Sequence, residues 1–122
     1  METSMNMRAT PHEAELGGKR YQLLFDMAAF ACAEQVYYME YGRKCNCGEI
    51  IIDMLDGLTS ALMALTYGAL RSGGAGMSYR QFAQEIMTYT QYDALFDVAE
   101  KALIQAMGVE DTKEQAQEDA KN

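Results

Sequence analysis

The residues of this chain best suited to chemistry are three cysteines and one histidine, because these side chains bind metals and act as nucleophiles or bases. Cys45 and Cys47 are separated by one residue, Cys32 precedes them, and His12 is the only histidine. Structural zinc sites usually have ligand pairs two to four residues apart and four ligands in total. We therefore interpret the cysteines as reduced, partly buried thiols. A small thiol or metal enzyme using Cys45 and Cys47 is the weakest alternative.

Groups for acid-base chemistry are equally sparse. His12 precedes the predicted helices, in a region expected to be flexible, so no Ser-His or Cys-His arrangement falls within them. The carboxylate pairs Asp53/Asp56 and Glu34/Glu40 lack a Glu-x-x-His motif and are typical of solvated helix faces. The sequence thus predicts no catalytic, cofactor-binding or metal-binding residue, and no enzyme.

Composition indicates one acidic globular domain. The chain has 122 residues, 49% of them hydrophobic, with 18 acidic and 10 basic residues. This charge repels phosphate backbones and anionic membranes, so we expect protein partners and no nucleic acid or membrane. No apolar run approaches the roughly 18 to 20 residues that span a bilayer, and no signal peptide is evident. We expect a cytoplasmic protein.

A strand pattern near the N-terminus changes abruptly into a helix pattern. Gly17-Gly18 is typical of a hairpin turn after a short strand at residues 13–16. The alternating residues of the next strand that should pack inward are Tyr21, Leu23 and Phe25. Asp26 is then a plausible N-cap, so the pattern predicts a hairpin that leads directly into a helix.

The first predicted helix runs from Met27 to Tyr41 and ends at Gly42. Three- and four-residue spacing suggests that its buried face comprises Met27, Phe30, Ala31, Tyr37 or Tyr38, and Tyr41. A capping-box pattern, Asn46 to Glu49, predicts a short second helix. The third, residues 58–70, is apolar on nearly every face, so we expect it to be central, with Leu58, Leu62, Leu65 and Ala69 in the core.

Two further helices follow a glycine-rich linker at residues 72–76. A capping-box pattern at residues 78–81 begins one that should end near Tyr89, with Tyr79, Phe82, Ala83, Ile86 and Met87 on one face. The last runs from Asp93 to Met107, with an apolar stripe of Leu95, Phe96, Ala99, Leu103, Ala106 and Met107, and stops at Gly108.

The predicted fold is mainly α: a single domain of four to five short helices with a small N-terminal β-hairpin. Residues 1–12 should form a flexible N-terminus and residues 13–108 the helical domain. Residues 109–122 contain five acids and no aromatic residue. They cannot bury enough surface to offset their ordering entropy, so a disordered acidic tail is expected.

The end of the first helix is the best candidate for binding a partner. Tyr37, Tyr38, Met39 and Tyr41 are nearly consecutive there. One buried face of a helix cannot accommodate all of them, so some must reach the surface. Tyrosine and methionine adapt well to an apolar partner surface, so we predict a partner-binding surface at these four residues.

The order of these elements resembles the tail assembly chaperones of long-tailed bacteriophages, over roughly residues 16–108. The resemblance lies in the Gly-Gly hairpin, the Tyr-x-Leu-x-Phe-Asp-Met-x-Ala junction and the later Met-Ser-Tyr helix start and Ala-Leu helix. In the central helix, the pattern that carries the resemblance is Ala-Leu-x-x-Leu-Thr-Tyr-Gly-Ala-Leu. The matching positions are Tyr21, Leu23, Phe25, Asp26, Met27 and Ala29 at the junction, and Leu65, Tyr67, Gly68, Ala69 and Leu70 in the central helix.

The resemblance implies a small, mainly helical, non-enzymatic phage or prophage protein in the cytoplasm of the bacterial host. It would keep the tape measure protein soluble while the tail tube assembles, and the tail tube protein is a further expected partner. The chain looks like the short form of such chaperones; its Cys45-Asn46-Cys47 turn departs from their pattern. The alternative is an acidic helical protein-binding or regulatory module unrelated to phage, and homo-oligomerisation stays open.

Overall fold

A β-hairpin opens the fold in this computed structural model, which describes residues 10–86, 90 and 92–107. Strand β1 (His12–Leu16) pairs antiparallel with β2 (Lys19–Leu23), and Leu16 lies opposite Lys19. Gly17 and Gly18 have φ angles of 59° and 82°, which confirms the predicted turn. Leu23 and Phe25 are buried and Tyr21 is half-buried.

His12, which the sequence assigned to the N-terminal segment, is the first residue of β1 and pairs with Leu23 of β2. Its Nδ1 atom lies 3.3 Å from Oε1 of Gln105 in the last helix. The pattern of a single strand does not reveal such pairing. The rest of the predicted N-terminal segment, residues 1–9, lies outside the described residues.

Helix α1 spans Met27–Tyr41, as predicted. Asp26 caps it by accepting a 2.8 Å hydrogen bond from the backbone N–H of Ala29. The buried residues of α1 are Ala29, Phe30, Ala33, Val36 and Tyr37. The assignment of Met27, Ala31 and Tyr41 to the buried face was therefore wrong: all three are exposed.

The shift of the buried face follows from how α1 meets α3 (Thr59–Ser72). A Cβ atom built on Gly68 of α3 would overlap the carbonyl oxygen of Ala29 and lie 3.2 Å from the backbone nitrogen of Ala33. Close approach of the two backbones requires small residues, so α1 turns Ala29 and Ala33 toward α3. Met27 and Ala31 consequently face away.

Helix α3 is the centre of the domain, as its composition predicted. It is buried continuously from Ala64 to Leu70, while Leu58 just before it is only half-buried. The backbone N–H of Leu24 donates to the carbonyl of Ala69 over 3.1 Å and joins the hairpin to α3. Helix α2 (Cys47–Leu55) has the predicted capping box between Asn46 and Glu49.

The predicted fourth helix is partly a π-helix. Ser78 and Gln81 form the predicted capping box of α4 (Tyr79–Gln81), and a π-helix at Phe82–Ile86 follows. Phe82 and Ile86 are buried and Tyr79 and Ala83 are half-buried. Met87 and the predicted end at Tyr89 lie outside the described residues.

The last helix, α5, spans Tyr92–Met107. Leu95, Ala99, Leu103 and Ala106 are buried as predicted, Phe96 is half-buried, and Met107 is exposed rather than buried. Met107 closes the described part of α5, where no described element covers it. The predicted stop at Gly108 and the acidic tail, residues 109–122, lie outside the described residues.

The fold is mainly α with a two-stranded N-terminal hairpin, which confirms the predicted class. The buried side chains form one core in which residues of the hairpin, α1, α2, α3, the π-helix and α5 meet. No helix in the described ranges is both long and apolar enough to cross a bilayer.

Candidate partner-binding surface

Tyr37 belongs to the core and not to the predicted binding surface. Its side chain has no solvent exposure, and its hydroxyl donates a 2.8 Å hydrogen bond to Oδ2 of Asp53 in α2. The guanidinium of Arg43 lies 5.5 Å from the centre of the ring and 3.3 Å from the same Asp53 oxygen. Burial, and then the bond to Asp53, raise the pKa of Tyr37. The hydrogen bond of Tyr37 therefore connects α1 to α2.

Tyr38 and Met39 do reach the surface. Their side chains are 55% and 68% exposed, which confirms that part of the cluster is open to solvent. Both side chains are therefore accessible to a partner. Adjacent residues point about 100° apart on a helix, so Tyr37 and Tyr38 do not share the buried face.

Tyr41 lies at the border between this surface and the core. Its ring stands edge-on to those of Tyr37 and Tyr79, with centres 6.0 and 6.2 Å away. The hydroxyls of Tyr41 and Tyr79 share a hydrogen bond, and the Tyr41 hydroxyl lies 3.8 Å from the sulfur of Met63. Burial and the bond to Tyr41 raise the pKa of Tyr79. Tyr41 therefore connects α1 to α4 while 37% of its side chain stays exposed.

The exposed face of α1 extends well beyond the predicted residues. Three exposed residues of α1, Met27, Ala31 and Tyr38, follow one another at four- and seven-residue intervals, and Met27 is 74% exposed. On a helix these intervals place the three side chains within about 40° of each other. We call Met27, Ala31 and Tyr38 the α1 stripe. The sequence assigned Met27 and Ala31 to the core because spacing alone does not distinguish a buried stripe from an exposed one.

A groove of about 720 Å³ runs beside the α1 stripe. Ala31, Glu34, Gln35 and Tyr38 line one wall, and residues 44–46 of the connection to α2 line the other. The wall formed by residues 44–46 is held close to α1, because Oε2 of Glu34 accepts a 2.9 Å hydrogen bond from the backbone N–H of Cys47. We call this concavity the α1 groove. Sequence reasoning missed it, because it depends on the path of the chain between two helices.

One of the three cysteines lies at this surface. All three are free and half-buried, and Cys45 lines the α1 groove. Burial raises the pKa of Cys32 against the opposing charge of Arg71, which keeps its thiol protonated. Within the described ranges, no three His, Cys, Asp or Glu side chains are placed to hold a metal ion.

Comparisons with known proteins give no matching family model, no matching curated protein and no matching solved structure. This surface offers noncovalent contacts. Methionine and tyrosine side chains are exposed on it, and the walls of the adjacent α1 groove carry one carboxylate and one ammonium group. Such a combination suits the binding of a protein segment.

Proposed function

We propose that this protein is a non-enzymatic tail assembly chaperone of a phage or prophage, which binds the tape measure protein and keeps it soluble during tail tube assembly. The observation that carries the proposal is the α1 stripe with its adjacent groove. In a small domain whose other large apolar side chains are mostly buried, such a face suits an apolar partner.

The physical basis is a helix-in-groove contact. A helical segment of the tape measure protein lays its apolar face along Met27, Ala31 and Tyr38, with one larger side chain entering the α1 groove. Each contact is weak because the stripe is short. Many copies along one filament would give the complex its overall strength.

Two features of the sequence support the proposal. The order of the hairpin, the capped α1 and the central α3 resembles that of tail assembly chaperones, and the net charge of −8 disfavours nucleic acid as the partner. The tail tube protein is a second partner in this proposal, and the site of action is the cytoplasm of the bacterial host.

Light scattering of an aggregating tape measure fragment tests the proposal. The wild-type protein in excess should suppress the scattering, and Tyr38→Ser should reduce the suppression while the circular dichroism spectrum stays unchanged. Met107→Ser is the matched control, because Met107 is half exposed but lies on α5. If the wild-type protein leaves the scattering unchanged, the chaperone proposal is wrong and an unrelated protein-binding module becomes the better explanation.

A further inference from the structure

We infer that a second groove, between α1 and α3, binds an acidic peptide segment of a partner protein, whose carboxylate pairs with Arg71. The groove has a volume of about 470 Å³. Its lining includes Ala28, Cys32 and Val36 of α1, Gly68 and Arg71 of α3, and Tyr79 of α4. We call it the α1/α3 groove. The proposed chaperone function does not depend on this site.

The guanidinium of Arg71 is held on one side and open on the other. Its Nη1 atom donates a 2.9 Å hydrogen bond to the hydroxyl of Tyr67 and lies 3.4 Å from the carbonyl oxygen of Met77. The group also lies 5.9 Å from the centre of the Tyr67 ring. Among the described residues these hydrogen bonds use Nη1 alone, which leaves Nη2 and Nε for a ligand. Two parallel N–H groups in a fixed plane suit a carboxylate.

The charge of the α1/α3 groove is positive. Arg20, Arg43 and Lys101 each form an ion pair with a carboxylate, whereas Arg71 forms none with any residue that the structure describes. Arg71 is also the one charged residue in the lining of the groove. The charge of Glu40 reaches Tyr79, but Glu40 lies outside the lining. Charge complementarity therefore favours an anionic group on the occupant.

The negative groups at the end of α3 are already bonded by other donors. The carboxylate of Asp26 accepts a 2.6 Å hydrogen bond from the hydroxyl of Ser72 and another from the first turn of α1. The carbonyl groups of Ala69, Leu70 and Arg71 accept backbone N–H groups of residues 24 and 73–75. Arg71 is therefore not needed to satisfy them, and its open edge remains available to a partner.

The open shape of the groove favours a peptide over a small molecule. Ala28, Gln35 and Arg71 line it and are exposed, so it stays open to solvent along α1. Ala28 and Gln35 are seven residues apart, or about 10 Å, which accommodates about three residues of an extended chain. Sites for small molecules usually enclose roughly 70–90% of the ligand surface. Gly68 and Val36 provide apolar contact for a side chain beside the carboxylate.

Fluorescence anisotropy with three labelled peptides tests the inference on the full-length protein. Each peptide has about twelve residues, blocked ends and two leucines around a central glutamate, glutamine or lysine. The net charge of −8 repels acidic peptides, so general electrostatics predicts the weakest binding for the glutamate peptide. We expect the reverse: at about 0.15 M salt the glutamate peptide should bind about tenfold more tightly than the glutamine peptide.

Two arginine variants test whether the preference comes from the groove. Arg71→Gln and Arg80→Gln each remove one positive charge, but Arg80 is exposed on α4 and does not line the groove. Arg71→Gln should abolish the preference for glutamate, and Arg80→Gln should retain it. Arg71→Lys keeps the charge without the planar fork and should lower the preference to about threefold.

A variant that leaves Arg71 intact tests the groove itself. Ala28→Gln fills the groove without changing charge and should weaken binding of the glutamate peptide by about tenfold. Ala94→Gln, at an exposed position of α5, is the control and should bind as the wild-type protein does. Circular dichroism checks that each variant is folded.

Four results would overturn the inference. The first two are equal affinity for the glutamate and glutamine peptides and a glutamate preference that survives Arg71→Gln. The third is competition by free N-acetylglutamate at the same concentration as the unlabelled peptide, which would assign the groove to small carboxylates. The fourth is a dimer in sedimentation experiments that dissociates in Arg71→Gln, which would assign it to a second copy of this chain.

Discussion

At the scale of single residues, Thr66 is an unusual member of the core. Its hydroxyl is buried in α3 and has no hydrogen-bond partner among the described residues. An unsatisfied buried hydroxyl costs free energy, and valine has nearly the same shape without the polar atom. We expect Thr66→Val to raise the free energy of unfolding by about 1 kcal/mol, measured by urea denaturation. Thr59→Val, at the exposed start of α3, is the control; a destabilised Thr66→Val would contradict this interpretation.

Tyr37 and Tyr38 are neighbours with opposite roles. Tyr37→Phe removes the buried 2.8 Å bond to Asp53 and should lower the free energy of unfolding by about 1 to 2 kcal/mol. Tyr38→Phe removes an exposed hydroxyl and should change stability by less than about 0.5 kcal/mol. Thermal denaturation of both variants measures the difference. Equal effects would mean that the division between core and surface is wrong.

The Asp26 carboxylate links stability to pH. Its pKa lies below the ordinary value of 3.8, first because Ser72 donates a 2.6 Å hydrogen bond and also because backbone N–H groups of α1 donate to it. A lowered folded pKa contributes stability above pH 3.8 that is lost as the pH falls through the folded value. Ser72→Ala should therefore cost about 1 kcal/mol at neutral pH and progressively less in acid. Denaturation curves across this range check it; a cost independent of pH would argue against the link.

Sequence reasoning is weakest when it assigns single residues to the core or to the surface. The sequence placed Tyr37, Tyr38, Met39 and Tyr41 in one surface, but it could not choose among them. That choice depends on where Asp53 and Arg43 meet α1, which is a tertiary contact. Local spacing contains no information about it.

At the scale of elements, the contact between α1 and α3 depends on Gly68. Alanine would gain about 1 kcal/mol of helix propensity there, but its Cβ would overlap the backbone of Ala29. We expect the overlap to dominate and Gly68→Ala to lower the free energy of unfolding by about 1 to 3 kcal/mol. Gly76→Ala is the control, because nothing lies near a Cβ at residue 76. Chemical denaturation measures both, and a stabilised Gly68→Ala would show that α1 and α3 can separate without cost.

Most elements could be predicted because their ends carry local signals. The Gly17-Gly18 turn, the Asp26 cap and the two capping boxes all act within four residues of sequence, and all four are present in the structure. The π-helix at Phe82–Ile86 was not predicted. Its spacing of apolar residues is also that of an α-helix, so the widened turn leaves no distinct sequence signal.

At the scale of the whole molecule, the described residues form a continuous core, and exposed apolar faces lie outside it. One is the α1 stripe, and another consists of Ile52 and Leu55 on α2, which are 59% and 54% exposed. The first lies beside a groove of about 720 Å³. The sequence predicted the fold class, but of the α1 stripe it named only Tyr38 as a partner-binding candidate. It could not show the groove, because the walls come from residues that only the folded chain brings together.

Methyl NMR of the methionines is the most direct test of the claim that the exposed face of α1 binds a helical partner. Met27 belongs to the α1 stripe, Met107 is exposed on α5, and Met54 is buried in α2. Titration with the tape measure fragment should shift the methyl signal of Met27 and leave those of Met107 and Met54 in place. A shift at Met107 with an unchanged Met27 would contradict the account.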